Sequence, residues 1–344
     1  MRLAALVVVA SIMLAPAARA EPVFLPEQFR GHVDFLASDR LEGREAGSPG
    51  YDLAARYVAD RFKAFGLKPG VRGGWFQQVP LPGREDKKVK TSPNVIGVVR
   101  GSDPALSDEY VLMTAHLDHV GVGEGTGDQI HNGAMDNATG VAAMLEVARV
   151  FAQAGKAPRR TIVFAALTAE EEGLVGSRYL ARHPVISRAR PVAVVNADMP
   201  VLLYDFTDVI AYGAENSTLG EVADQAAASM DVSLSTDPNL HEDFFTRSDH
   251  FSFVQRGVPA LFLMTGYANG GEAKVKEFLA DHYHRPSDDL SLQLNWKAGA
   301  KFAKLNYKIL RRIADGATAP RWFADDMLGQ RYAPNQPKAI RVLE

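Results

Sequence analysis

Residues able to bind cations and move protons recur in this chain directly after apolar runs. His116 and Asp118 follow the run 110–114, Glu170 and Glu171 follow 161–167, Asp198 follows 192–196, and His284 follows 260–264 after a loop. Asp136 lies between the first two, in Gly133-Ala134-Met135-Asp136-Asn137-Ala138-Thr139-Gly140, where a loop turns into a helix and small neighbours let the backbone crowd a ligand. Charged groups just beyond buried strands are costly to desolvate unless something neutralises them. Several carboxylates brought together would also repel one another, and bound cations resolve both problems.

The donors are imidazole and carboxylate, and the chain has no cysteine. That set suits zinc, with cobalt or manganese as acceptable substitutes. Two histidines and three carboxylates are too many for one tetrahedral zinc that keeps an open position. They fit two ions sharing one carboxylate, about 3.5–4 Å apart. The expected assignment gives His116, Asp136 and Asp198 to one ion and Asp136, Glu171 and His284 to the other. Asp118, two residues after His116, is expected to accept the second imidazole N–H and fix its tautomer. Glu170 is left as general base, taking a proton from the attacking water and passing it to a leaving amine.

The elements that must position these groups follow from hydrophobic period and end signals. Helices are read over 26–36, 51–65 (closed by Gly66), 139–154, 174–182, 219–230 and 296–313, and strands over 75–81, 94–100, 110–114, 161–167, 192–196, 209–212 and 260–264. A charged turn, 84–90, joins the first two strands. Strands this apolar, alternating with helices, imply an α/β fold with a mostly parallel sheet covered on both faces. In such a sheet functional groups gather beyond the carboxyl ends of the strands. Residues 41–50 form a Gly-rich loop that reads equally as part of a substrate rim or as a connector.

Arg2, the apolar run 3–14 and the small residues ending Ala18-Arg19-Ala20 read as a signal peptide over 1–20, placing the mature chain in the periplasm or outside the cell. The apolar run is short of the ~20 residues a spanning helix needs, so no membrane span is expected. Without cysteine a lipoprotein anchor and disulfides are excluded, and the core alone must hold the exported protein. Residues 21–316 read as one domain and 317–344, with Pro320, Pro334 and Pro337, as a tail on its surface or loose from it. A formal net charge of -3 over 344 residues, with no basic stripe, speaks against nucleic-acid binding.

The blocks His116-Leu117-Asp118, Met135-Asp136-Asn137, Glu170 to Ser177, Asn196-Ala197-Asp198-Met199 and Tyr283-His284-Arg285-Pro286-Ser287-Asp288 resemble, in order, the five signature blocks of metallopeptidase family 28, the co-catalytic zinc family of bacterial leucyl aminopeptidases and glutamate carboxypeptidase II. Residues 41–50 and Arg247-Ser248-Asp249-His250 also resemble family segments. The resemblance implies a three-layer α/β/α fold, two zinc ions and a cis peptide after the bridging aspartate, here Asp136–Asn137. It implies an exopeptidase, most simply an aminopeptidase, acting on peptides with a free terminus. Between Leu81 and Tyr110 there is no room for the protease-associated domain of some relatives. Where some family aminopeptidases place a tyrosine ahead of the Ser-Asp-His segment, this chain reads Phe244-Phe245-Thr246-Arg247.

Other readings stand beside this one. A glutaminyl-cyclase-like acyltransferase on the same fold would use a single zinc and lack the first histidine, which His116 opposes. A carboxypeptidase would need arginines for a free carboxylate, for which Arg247 and Arg285 are the candidates. His119 is read as a packing or supporting residue, and His282 as a non-ligand. Ser248 and Asp249 are read as helix N-terminal residues, Asp288 and Asp289 as caps of a turn, and His131, His183 and His241 as loop or surface residues. The loops expected to shape the pocket are 41–50, 205–208, 239–245 and 266–277. Oligomeric state is not readable.

Overall fold

The computed structural model describes residues 21–83, 91–186, 188–238 and 243–341. The signal peptide read over 1–20, the turn 84–90 and His241 lie outside the described residues. The first helices begin where local chemistry starts them. α1 (Pro26–Leu36) carries proline in its first turn, and α2 (Pro49–Phe65) has the Ser48 hydroxyl accepting the Tyr51 N–H and ends at left-handed Gly66.

Strands β1 (Lys68–Pro69), β2 (Phe76–Pro80), β3 (Thr91–Val99), β4 (Glu109–His116), β5 (Thr161–Leu167), β6 (Arg190–Ala197), β7 (Asp208–Tyr212), β8 (Ser233–Ser235) and β9 (Ala260–Thr265) form one sheet in the order β1-β3-β5-β4-β6-β9-β7-β8, with β2 also on β3. The centre β5-β4-β6-β9 is parallel, whereas β1, β2 and β5 pair antiparallel with β3 and β7 pairs antiparallel with β9. The central strands are buried on both faces, which is why they read as unbroken apolar runs.

Helices cover both faces, giving three layers. One face packs Val111, Met113 and Ala115 against α1, α2, α3 (Thr139–Gln153), α5 (Leu219–Ala228) and α9 (Trp296–Asp315). The other packs Tyr110 and Leu112 against α4 (Val175–Arg182) and α7 (His250–Val254), with the short α6 (Phe244–Arg247) ahead of α7. The segment 266–277, expected as a loop, is largely a helix: α8 (Gly271–Asp281) follows left-handed Gly270. It buries Val275 and Phe278 under an otherwise polar surface, too narrow a stripe to show as helical period. Among the described residues no helix is long and apolar enough to cross a membrane.

Residues beyond 316 complete the second face. Trp322 is fully buried in that cluster, its indole N–H donates to the Gly257 carbonyl at 2.9 Å, and the strand-like contacts Ser217–Trp322 and Phe323–Ala339 tie the segment down. α10 (Met327–Tyr332) is capped by Asp326, which accepts the Gly329 N–H at 2.7 Å. Trp322→Ala is expected to cost about 3–5 kcal/mol from cavity and lost packing. A denaturant midpoint equal to that of the parent protein would contradict this account of the segment.

Candidate metal centre

Sheet order explains why distant residues meet. β5, β4 and β6 are neighbours, His116 lies level with Leu167, and Thr114 lies level with Asn196. The loops leaving these strands therefore bring His116, Glu170, Glu171 and Asp198 side by side. Asp136 arrives from the irregular turn Ala134–Ala138 before α3, and His284 from the turn after α8. The Asp136–Asn137 peptide is cis, as the resemblance implies.

Asp136 divides its carboxylate between two imidazoles. Its Oδ1 is 3.2 Å from His116 Nε2, and its Oδ2 is 3.1 Å from His284 Nε2. Asp198 Oδ1 completes the first group at 3.1 Å from His116 Nε2, and Glu171 Oε2 the second at 3.0 Å from His284 Nε2. Within each group the donor atoms lie within 4.8 Å of one another. The five expected residues thus converge, with His119 beside the group of Asp136, Glu171 and His284. Glu170 stands beside them, with a carboxylate oxygen within 4.8 Å of donor atoms of His116 and Glu171. The five residues and Glu170 line an open cleft of about 370 Å³ whose walls include Leu174, Arg178, Met199, Phe244, Arg247 and Tyr283.

The donor set fits divalent cations. Among the described residues no lysine or arginine pairs with Asp136, Glu171 or Asp198. His284 Nε2 is buried and makes no well-directed hydrogen bond, despite its short distances to two carboxylates. In the protein alone imidazolium must balance the acids. Burial opposes that charge, but Asp198 and Asp136 hold the His116 pKa well above the usual imidazole value. At His284 burial is likewise outweighed by Asp136 and Glu171, and the pKa rises to about 10. For Glu170 burial dominates and pushes the carboxyl well above the usual range.

Three buried residues hold the cluster through the backbone. Arg44 donates to the carbonyls of Leu36, Leu117, Asn132 and Gly133, clamping the loops that lead to His116 and Asp136. Asn137 donates to the His116 and Ala197 carbonyls and accepts the Gly140 and Met199 N–H groups. The Asp288 carboxylate accepts the N–H groups of Met135 at 2.8 Å and Asp136 at 3.0 Å. At Gly133 (φ +59) a β-carbon would stand 2.2 Å from the Asp136 carbonyl oxygen, so this tight approach requires glycine.

Several sequence expectations change. His116 Nδ1 meets the Asp118 main-chain carbonyl at 3.2 Å, not its carboxylate. The chain turns after β4, and the Asp118 carboxylate instead accepts the Glu170 and Glu171 N–H groups at 3.1 and 3.2 Å. Burial, foremost, lifts its pKa to about 7. Asp288 is no turn cap but the acceptor just described. Ser248 does not cap α7 through its side chain; its hydroxyl donates to Asp198 Oδ2 at 2.5 Å and accepts from Asn196 at 2.7 Å. Asp249, buried with neither oxygen directed at a hydrogen-bond partner, has its pKa raised to about 7, chiefly by burial. His119 is buried with Nδ1 at 2.9 Å from Glu171 Oε1, which makes it a support for that carboxylate. His282 turns away to Ser287. Of the loops expected to shape the pocket, 239–245 contributes Phe244, whereas 41–50 lies behind the site with Arg44.

Residues 94–310 match the profile of peptidase family M28. Over 270 residues the chain is 26% identical to leupeptin-inactivating enzyme 1 of Streptomyces exfoliatus, covering 76% of this chain and 54% of that protein, so it spans about half the relative's length. The fold is shared with the zinc aminopeptidase BSAP of Bacillus subtilis (TM-score 0.64, 17% identity, 87% of this chain and 98% of that one). It is shared equally with a glutaminyl cyclase of Bacteroides thetaiotaomicron (TM-score 0.63, 16% identity, 86% and 99%).

Asp288→Ala leaves the Met135 and Asp136 N–H groups without their acceptor in a buried turn. A loss of about 1–3 kcal/mol for each is expected in urea unfolding. An unchanged midpoint would remove Asp288 from its holding role.

Proposed function

Because the chain belongs to peptidase family M28, we propose that it is an exported di-zinc exopeptidase, an aminopeptidase that hydrolyses the first peptide bond of its substrates. The observation that carries the two-ion reading is Asp136, which offers one oxygen to the His116 group and the other to the His284 group. His116, Asp136 and Asp198 would hold one zinc, and Asp136, Glu171 and His284 the other. Bound there, the ions would polarise the scissile carbonyl and acidify the attacking water.

The chain's own residues supply the rest. Glu170 takes the proton from the attacking water and delivers it to the departing amine. His119 and the Asp118 carboxylate keep the Glu170-Glu171 pair in place, one through Glu171 Oε1 and the other through both main-chain N–H groups. Tyr283 stacks on His284 with ring centres 3.9 Å apart, and its hydroxyl has no hydrogen-bond partner among the described residues. It is the donor we assign to the developing oxyanion, a place that Phe244-Phe245-Thr246 cannot fill with a tyrosine.

The aminopeptidase named among the structural neighbours supports this choice, and the apolar N-terminal run supports action outside the cytoplasm. The glutaminyl cyclase shares the fold alone, and His116 standing 3.1–3.2 Å from Asp198 and Asp136 supports the two-ion reading over it.

Hydrolysis of leucine p-nitroanilide should vanish on chelation and dialysis and return with zinc, and metal analysis should give two zinc ions per chain. Activity that persists after complete metal removal would refute the reading. Glu170→Gln should keep its zinc yet lose turnover by about 10²–10⁴-fold; a normal kcat would strip Glu170 of its role.

A further inference from the structure

We propose that Arg178 makes one wall of the cleft a carboxylate-binding subsite, so that the enzyme favours peptides with an acidic group on the residue just after the scissile bond. This rests on the peptidase reading above. Directly after Glu170 and Glu171 the chain turns through Gly173 (φ 94) and Leu174 (φ 61), both left-handed, and starts α4 at the edge of the cleft. Arg178 lies one turn beyond Leu174, and its N–H donates to the Leu174 carbonyl at 3.0 Å. Residues four apart share a helix face, and both of these line the cleft. The intervening Ser177 points inward, where its hydroxyl meets that of Ser252 on α7 at 2.8 Å. That contact fixes the rotation of α4 and keeps Arg178 on the cleft wall.

Charge in the cleft is segregated. The floor carries Asp136, Glu170, Glu171 and Asp198, yet Arg178 pairs with none of them, and its guanidinium has no partner among the described residues. Arg247 of α6 lines the same cleft, whereas Arg285 does not. An exposed guanidinium held beside a site, but clear of the site's own acids, is suited to a planar anion brought by a ligand, which it can grip through two parallel N–H groups. The N-terminal residue of a substrate brings an ammonium group to the acidic floor. A carboxylate at the wall is assigned to the departing residue, as either its side chain or its terminal carboxylate.

The test compares kcat/KM of the zinc-loaded protein for Leu-Ala, Leu-Ala-amide, Leu-Glu-amide and Leu-Lys-amide, with leucine p-nitroanilide reporting the peptidase reading by itself. Leu-Ala or Leu-Glu-amide should exceed Leu-Ala-amide by about tenfold, the size expected for one charge-assisted contact. Preference for Leu-Ala alone identifies the terminal carboxylate, and preference for Leu-Glu-amide the side chain. Arg178→Ala should bring the ratios close to one, Arg178→Lys should retain part of the preference, and Arg178→Glu should turn it toward Leu-Lys-amide. Ratios unchanged in Arg178→Ala and Arg178→Glu, or no preference in the parent protein, overturn the subsite while hydrolysis of the anilide leaves the peptidase reading standing. Failure to cleave any of the five removes that reading and the subsite with it.

Discussion

Carboxylates do not gather in a protein interior unless something opposes their repulsion. Here Asp136, Glu171 and Asp198 converge with His116 and His284 at distances near 3 Å, and no lysine or arginine among the described residues pairs with them. Much of the surrounding structure can be understood as a response to that demand. The parallel centre of the sheet brings three loops to one edge, each delivering a donor. Asp136 supplies the link, because each of its oxygens faces a different imidazole.

Donors this close must be held by something other than their own interactions. The framework is made of main-chain groups gripped by buried side chains. Arg44 collects four carbonyls from three segments, Asn137 ties the ends of β4 and β6 to the start of α3, and Asp288 reaches across to the N–H groups at Asp136. The fixed charge of Arg44 acts on the cluster without touching a carboxylate. Burial lowers its pKa to about 10, while Asp288, Asp136 and Asp118 pull the other way. It is therefore a cation held within the fold yet still strongly favoured in its charged form.

His116, Glu171 and Asp198 are legible in the sequence because each stands just beyond an apolar run, where a charge is conspicuous, and Asp136 and His284 are legible from the short blocks around them. The layers were legible for the same reason: buried strands and long amphipathic helices leave strong periods. The supporting residues were not. Asp288 meets the backbone of residues some 150 positions earlier, and such pairing leaves no local pattern in either segment. For Asp118 spacing points to the site but not to its partners, the Glu170 and Glu171 N–H groups, since side-chain direction after a strand end depends on a turn that spacing does not encode. α8 leaves no helical period in the sequence because its buried apolar side chains, Val275 and Phe278, are too few to mark one.

The residues from Trp322 to Ala339 close the face of the sheet covered by α4 and α7, and they come from the far end of the described chain. Until they are present, Phe253, Val254 and Val258 have lost the cover that Trp322 and Ala333 give them. A growing polypeptide therefore passes through an interval in which the clustered acids and histidines have all emerged while one greasy flank stays bare. Exposed flanks of that kind attract chaperones and invite self-association, so the chain stays vulnerable until the residues from Trp322 onward emerge.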